Sequence, residues 1–592
     1  MVAFGIFAGL LFLIMLAVLE LNKNTILGFA LLIAATVCFV ILFVKVLHGG
    51  KWYWKLLGWL GWIAAFVAVL FISWPPTKAV PACDGKPVYT EVVSTDKGDV
   101  RGVLLEDGAV ELYAGIPYAK PPVGELRWRE PQEAEPWDGV KDCDHFAPMC
   151  MQPVELPIYS SLKQIIGFHD YRISLKDNYM PPVSEDGLYV NVWKPAGKAE
   201  GLPVLVYIHG GTLQTGQPWY GDYAGTGLAK KGAVVVNLGY RLGVFGYYAD
   251  EDLKAESEHG TTGNYGLLDQ IKALEWVQKN VAAFGGDPDN VTIAGESAGA
   301  ASVSAICTSP LAKGLFRRAV LESSTVASVE PPHSFRSFDE AIASGRELKA
   351  RYGAETVADL RALDAGKIVK EAYTQHFMTV DGYALTETPY ESYRKGAHNE
   401  EAILHGYNAE ESAPFILFGG ASLKNYEGIV RDYFKTYADD VLAIYAPKTD
   451  AEAAAMWAKI YGAVFFDYPH YCLSRLAEQN GIPTYTYFFS KQNGRLSAWH
   501  SGELIYLYGN IPADSKLFDA EDRALSETMQ QYLLNFMRTG DPNGGALPVW
   551  EPAQNGERLL TLGKTVAMED EASTAFFAVL DRMTGWQDAP AE

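Results

Sequence analysis

A β-branched run, Val291-Thr292-Ile293, leads into Gly295-Glu296-Ser297-Ala298-Gly299, and Ala300-Ala301 then open a helical pattern. A serine on a sharp strand-to-helix turn is held clear of the sheet with its hydroxyl free to attack, and the glycines leave space that a Cβ would fill. A neutral hydroxyl is a weak nucleophile, so it needs a base within hydrogen-bond reach. It also needs donors aimed at the oxygen that turns negative in a tetrahedral intermediate. His209-Gly210-Gly211 closes another apolar run. The bare backbone N–H groups of Gly210 and Gly211 suit that task, and the N–H of Ala298 adds a third. Standing alone, His209-Gly210-Gly211 reads equally as a plain tight turn. The chemistry these residues permit is acyl transfer.

The elements that must carry them follow a strand, loop, helix rhythm from about Val88. Val204 to His209, Ala233 to Leu238 and Val291 to Ala294 read as short buried strands. Leu267, Leu268, Ile271, Leu274 and Val277 recur at helical spacing before Gly285-Gly286. This alternation predicts an α/β fold with a large, mostly parallel sheet flanked by helices. Ligands bind such sheets beyond the carboxyl ends of the strands, where Gly210-Gly211 and Ser297 fall.

The first eighty residues are a different material. Val2 to Leu19, Ile26 to Val44 and Leu56 to Trp74 are apolar runs without Asp, Glu, Lys or Arg. At about 1.5 Å per residue each crosses most or all of a roughly 30 Å hydrocarbon layer. A cleaved signal peptide is the competing reading of the first run, but it lacks a basic start and a small-residue cleavage site, and two more runs follow. Three membrane helices are expected. Trp52, Tyr53 and Trp54 stand at one end of the third and Trp74 at the other, as interfacial aromatics do. Lys45, Lys51 and Lys55 put the second loop in the cytoplasm, with the amino terminus inside and everything after Trp74 outside. The expected layout is a membrane region over 1–76, a linker over 77–87 and a hydrolase domain over 88–592.

The chain has 592 residues and a formal charge of −22. That charge argues against nucleic acid as a partner. Among six cysteines, Cys38 reads as packed inside its apolar run. Cys143 and Cys150 would face an oxidising compartment, where a disulfide and two free thiols are both open.

Several longer motifs share an order that resembles the type-B carboxylesterase family of α/β-hydrolases. They are Gly115-Ile116-Pro117-Tyr118-Ala119-Lys120-Pro121-Pro122-Val123-Gly124, Ser184-Glu185-Asp186-Gly187-Leu188-Tyr189-Val190-Asn191, Asn237-Leu238-Gly239-Tyr240-Arg241-Leu242-Gly243 and Phe284-Gly285-Gly286-Asp287-Pro288. The resemblance runs from near Val88 almost to the carboxyl terminus and leaves the membrane runs outside. It implies an α/β-hydrolase fold and ester hydrolysis without metal or organic cofactor. It also supplies two partners for Ser297. Asn408-Ala409-Glu410-Glu411-Ser412 matches the family's acidic stretch and puts the acid at Glu411, with Glu410 as rival. Trp499-His500-Ser501-Gly502-Glu503-Leu504 matches the family's histidine segment and makes His500 the base, with His405 and His470 as weaker competitors. The order Ser297, Glu411, His500 is that of α/β-hydrolases.

Two departures stand out. Thr212 replaces a common third glycine; either its backbone is ordinary, or the oxyanion donors shrink to Gly211 and Ala298. Gly187 stands where animal members carry a disulfide cysteine, which points toward the bacterial branch. Tyr159, Tyr171, Tyr179 and Tyr189, with Trp219 and Tyr220, suggest an aromatic, apolar cleft for a small ester, although ordinary packing explains any one of them. A non-catalytic cell-surface binding protein on the same fold, an amidase and a thioesterase are the alternative functions. The expected partners are therefore an ester substrate and a lipid bilayer.

Overall fold

A computed structural model describes residues 2–105, 108–165, 173, 178–331, 335–416, 419–492 and 497–586. Its contacts divide the chain into two compact units, Met1–Val80 with Val154–Pro182, and Pro81–Pro153 with Val183–Glu592. The segment 154–182 thus groups with the N-terminal helices, whereas the sequence reading kept it inside a continuous domain from residue 88.

In the first unit, α1 (Val2–Leu21), α2 (Ile26–Leu42) and α3 (Trp52–Ile72) are the three apolar runs. A π-helical turn carries α2 on to Leu47, and all three helices are long and apolar enough to cross a membrane. They meet through aromatic rings: Phe39 stacks on Trp62 at 4.7 Å, and Trp62 donates its indole N–H to Thr36 Oγ1 at 3.2 Å. At one end, the α1–α2 turn is tied to α3 through Asn24, which donates to Ser73 Oγ and to the Leu70 carbonyl, both at 2.8 Å. Cys38 is exposed on α2 and not packed as expected, whereas its neighbour Phe39 is buried against Trp62. The unit also holds a short helix, α4 (Pro157–Lys163).

The second unit is built on an 11-stranded sheet among the described residues. In chain order its strands are β1 (Val103–Leu105), β2 (Val110–Pro117), β3 (Tyr189–Pro195), β4 (Leu202–Ile208), β5 (Val234–Leu238), β6 (Gly286–Glu296), β7 (Arg318–Glu322), β8 (Ala402–Asn408), β9 (Thr484–Phe489), β10 (Arg558–Leu562) and β11 (Val566–Asp570). Their spatial order is β11-β10-β9-β8-β7-β6-β4-β5-β3-β2-β1. From β10 to β5 neighbours run parallel, and the two flanks are antiparallel. The sheet is therefore mixed, with a parallel centre. The order reverses at β4, which pairs with β5 on one side (Val206↔Val236) and β6 on the other (Val206↔Ile293). A crevice opens at such a switch point.

The central strands are mostly apolar because both faces are covered. Val204, Val206 and Ile208 point into one core with α5 (Tyr265–Asn280) and α6 (Ala298–Thr308). Leu205 and Tyr207 point into the other, with α7 (Ala520–Thr539). A short 3-10 turn, Val281–Phe284, follows α5 and ends at Gly285 with φ 85°. Cys143 and Cys150 are both free and buried. The Cys150 thiol donates to the Gly187 carbonyl at 3.3 Å, and a Cβ on Gly187 would lie 2.6 Å from that sulfur. The backbone of residue 187 thus sits hard against Cys150, where there is no room for a side chain without a shift.

Candidate active site

β6 ends at Glu296 and α6 begins at Ala298, so Ser297 is the whole connection. Its φ of 56° and ψ of −126° lie in a region costly for a residue with a Cβ, of order 1–3 kcal/mol. The surroundings enforce it. The Ser297 N–H donates to the Glu322 carbonyl at 2.9 Å, tying the elbow to the end of β7. A Cβ on Gly295 would stand 2.6 Å from the carbonyl carbon of Gly299, and one on Gly299 would stand 2.0 Å from the Ile208 carbonyl oxygen. The glycines of G-x-S-x-G are required because the elbow, α6 and the end of β4 share the same few ångströms.

The turn after β4 presses on that elbow. A Cβ on Gly210 would lie 2.6 Å from the Glu296 carbonyl oxygen and 3.0 Å from Ser297 Cβ. Gly211, Thr212 and Leu213 follow with φ of 103°, 55° and 57°. The Gly211 carbonyl closes the turn, accepting the N–H groups of Gln214 and Thr215 at 3.0 Å and the Thr212 hydroxyl at 2.8 Å. The backbone at Thr212 is therefore not ordinary: a β-branched residue is held in left-handed space. Gln152 braces the far side of the turn. Its amide donates to the Gly216 carbonyl at 2.7 Å and accepts the Gly216 N–H at 2.9 Å. His209 lies flat against Tyr240, with ring centroids 4.5 Å apart, and its Nδ1 is 2.9 Å from the Gly210 carbonyl oxygen. Burial pulls this imidazole down to about 4, so it is neutral and donates that bond. Ala298 opens α6, where the first N–H groups have no earlier helical carbonyl to bond.

Glu411 sits three residues past β8, and its carboxylate is gripped on both oxygens. Oε1 accepts the Asn408 N–H at 2.7 Å, and Oε2 is 2.6 Å from His500 Nδ1. Glu411 and His500 are both buried, at 2% and 8% exposure. The rival Glu410 instead accepts an exposed bond from Gln492 at 2.7 Å. His405 and His470 stack on each other with Nδ1 atoms 2.8 Å apart, and burial drives His405 down to about 3. Among the described residues, neither is hydrogen-bonded to Ser297, Glu411 or His500.

The other edge of the His500 ring meets the elbow through Glu296: Nε2 is 3.2 Å from Glu296 Oε1. Among the described residues no hydrogen bond reaches Ser297 Oγ. The Ser297 hydroxyl and the His500 ring are thus neighbours through Glu296 and not directly bonded. The sequence reading passed over Glu296 and Glu503, although one precedes the serine and the other follows the histidine by three. Glu296 also accepts from Ser501 Oγ. Glu503 is fully buried and accepts from the Asn408 side-chain amide and, at 3.3 Å, from Ser323 Oγ.

These carboxylates set the protonation of the site. Burial works against a charged imidazole at His500, but the negative charges of Glu296 and Glu411, with the Glu411 hydrogen bond, prevail and raise it to about 9. Burial raises Glu296 against the pull of His500. Burial, Glu411 and Glu296 together push Glu503 up to about 8. The net effect is that the carboxylates favour the charged form of the imidazole.

The six aromatic residues expected to line a cleft fall in different parts of the chain. Tyr159 and Tyr179 belong to the first compact unit, and Tyr171 lies outside the described residues. Tyr189 starts β3, Trp219 stacks on Phe146 at 5.4 Å and Tyr220 is 45% exposed. The rings against His500 are Phe415 and Phe466, with centroids 5.2 and 4.9 Å away. No motif marked either one.

An elbow serine, backbone donors beside it and a carboxylate-held imidazole are the parts of acyl transfer to water. Comparison with known proteins agrees. The model of the carboxylesterase family matches residues 89–579. The chain is 32% identical over 536 residues to the fumonisin B1 esterase of Sphingopyxis macrogoltabida, covering 86% of this chain and 93% of that one. It is 33% identical over 541 residues to Carboxylesterase 1C of Rattus norvegicus, covering 85% and 94%. It is 31% identical over 542 residues to Carboxylesterase 3 of Homo sapiens, covering 84% and 90%. Motif order, fold and these likenesses converge on one assignment: the chain belongs to the carboxylesterase family and is a carboxylic-ester hydrolase.

Proposed function

We propose that this hydrolase works through an acyl-enzyme formed on Ser297, with His500 as base and Glu411 as its partner, and that α1 to α3 anchor it in a membrane. The observation that carries the reading is the 2.6 Å contact between Glu411 Oε2 and His500 Nδ1 beside the Ser297 elbow. Glu411 fixes the tautomer, so that Nε2 is the edge available to exchange protons.

In this reading His500 must first be neutral. Nε2 then leaves the Glu296 carboxylate for the Ser297 hydroxyl while Nδ1 stays held by Glu411. It takes the proton as Oγ attacks the ester carbonyl. The N–H groups of Gly211 and Ala298, with Gly210, receive the developing oxyanion; one such donor is worth about 3 kcal/mol. His500 returns the proton to the leaving alcohol, and water repeats the cycle on the acyl-enzyme. Glu296, Glu411 and Glu503 stabilise the imidazolium in each tetrahedral state. The positive-inside pattern of Lys45, Lys51 and Lys55 favours an extracytoplasmic catalytic body with the amino terminus in the cytoplasm. The substrate is a small ester, with Phe415 and Phe466 favouring an apolar one.

A fluorophosphonate probe tests the reading. Labelling should map to Ser297 and be lost in His500→Ala. Labelling at another residue, or undiminished labelling in that variant, would rule it out. A panel of matched ester, amide and thioester substrates then ranks the reaction classes.

A further inference from the structure

Segment 154–182 belongs to the same compact unit as the three apolar helices. It is tied to the end of that bundle where the α1–α2 turn meets the end of α3. Thr77 bridges to Met180, the Lys78 N–H donates to the Met180 carbonyl at 3.1 Å, and the Met180 N–H donates to the Pro76 carbonyl at 2.9 Å. The Asn178 side chain donates to the Asn24 carbonyl at 3.1 Å, and Asn24 is the residue that joins the turn to Ser73. The helix Pro157–Lys163 packs against α1, and around it the segment exposes Val154 (47%), Leu156 (47%), Tyr159 (58%), Leu162 (38%), Ile165 (51%) and, further on, Ile173 (76%). Tyr159, Leu162 and Ile165 recur every third residue, which lines them on one side of a helical turn.

Apolar side chains left in water forgo the free energy of transfer that burial would supply. A cluster of them in a few turns marks an interaction surface. Its position identifies what covers it. Ile26 and Ile72, at the same end of α2 and α3, are each 66% exposed on helices built to face lipid. Residues 154–165 carry only Glu155 and Lys163 as charges. Where the segment joins the end of the bundle, the Lys78 amino group sits 4.3 Å over the Tyr179 ring. An apolar face with Tyr and Lys at its margin is the composition of the layer between acyl chains and headgroups.

We propose that residues 154–165 and Ile173 form a second membrane contact, a pad lying in the interfacial layer of the leaflet at that end of the three helices. The pad is apolar, so it holds to the acyl boundary and not to a particular headgroup. The inference rests on reading α1 to α3 as membrane spans, and it is independent of catalysis.

The test uses full-length protein in phosphatidylcholine nanodiscs, with Cys38→Ala and Cys83→Ser removing the accessible thiols. An environment-sensitive fluorophore is attached in turn at Leu162→Cys, Ile173→Cys, Val37→Cys in mid-α2 and Val549→Cys on the hydrolase body. Quenching is read with nitroxide lipids labelled near the headgroup or at mid-chain. The pad predicts that labels at 162 and 173 lose at least half of their emission to the headgroup-level quencher and less to the mid-chain one. Val37 should show the reverse order, and Val549 should respond to neither. Labels at 162 and 173 that behave like Val549, while Val37 is quenched, would overturn the pad alone. An unquenched Val37 would overturn the spans, and the pad with them.

Discussion

Two apolar helices in this chain solve opposite problems. α2 is apolar on every side and leaves Ile26, Ile33, Val37 and Ile41 between 51% and 66% exposed. α6 is apolar too, yet all of its residues from Ala298 to Thr308 are buried. The difference lies in side-chain size and context. α2 carries Leu, Ile, Val and Phe around its whole circumference, as a lipid-facing helix does. α6 begins Ala-Gly-Ala-Ala-Ser, small enough to let strands β4, β6 and β7 approach from one side and α5 from another. One helix suits hydrocarbon as solvent; the other is short, packed into protein, and exists to hold Ser297 at its start.

The largest effect should come from removing what α6 presents. Ser297→Ala is expected to leave the body folded, because the elbow is fixed by backbone contacts. It should cut p-nitrophenyl acetate turnover by about 10⁴-fold or more, since members of a triad act as a unit. Steady-state kinetics on folded, monodisperse protein checks this. Glu411→Gln keeps the size but removes the charge that orients His500, and should cost on the order of 10³–10⁴-fold in kcat with little change in KM.

The comparison sharpens if one substitution is placed in both helices. Val303→Asp buries an unpaired charge in α6 and should lower the thermal midpoint of the body steeply, through a loss of about 3–5 kcal/mol. Val37→Asp in α2 should leave that midpoint and the esterase activity unchanged. Its cost should appear as a smaller membrane-inserted fraction, from about 3 kcal/mol of insertion free energy. Equal thermal losses in both variants would erase the distinction drawn between the helices.

Glu296→Gln acts on pH dependence. His500 must lose its proton to serve as base, and Glu296 helps raise it to about 9. Activity should therefore fall as pH drops through an alkaline value, and Glu296→Gln should move that limb of kcat/KM to lower pH. A limb that stays in place would show that Glu411 and Glu503 hold the proton alone. Thr212→Gly is the smallest change: relieving left-handed backbone at a β-branched residue should stabilise the body by about 1 kcal/mol, read in a denaturant midpoint.

Much of this was legible in the sequence because it depends on local rules. The strands near Val204, Val234 and Val291 and the helix after Tyr265 are set by apolar runs that end at glycines. The elbow is set by spacing, and the three apolar helices by length alone. Glu411 and His500 lie 89 residues apart in sequence, so only the resemblance could pair them. Glu296, Glu503, Phe415 and Phe466 were missed because they act by proximity to His500, and no periodicity records proximity. The grouping of 154–182 with the N-terminal helices was missed for the same reason: its ties run through Met180 and Asn178, residues of no distinctive type. The strain at Thr212 was visible only as a pair of options, since φ is a property of the folded turn.

The most direct test of the account is a rapid-quench experiment with p-nitrophenyl acetate, followed by peptide mass analysis. The account predicts a burst of p-nitrophenolate approaching one equivalent per enzyme wherever deacylation limits turnover, with acetyl on the peptide containing Ser297. Acetyl trapped on a different side chain, or turnover that persists in Ser297→Ala at the wild-type rate, would contradict it.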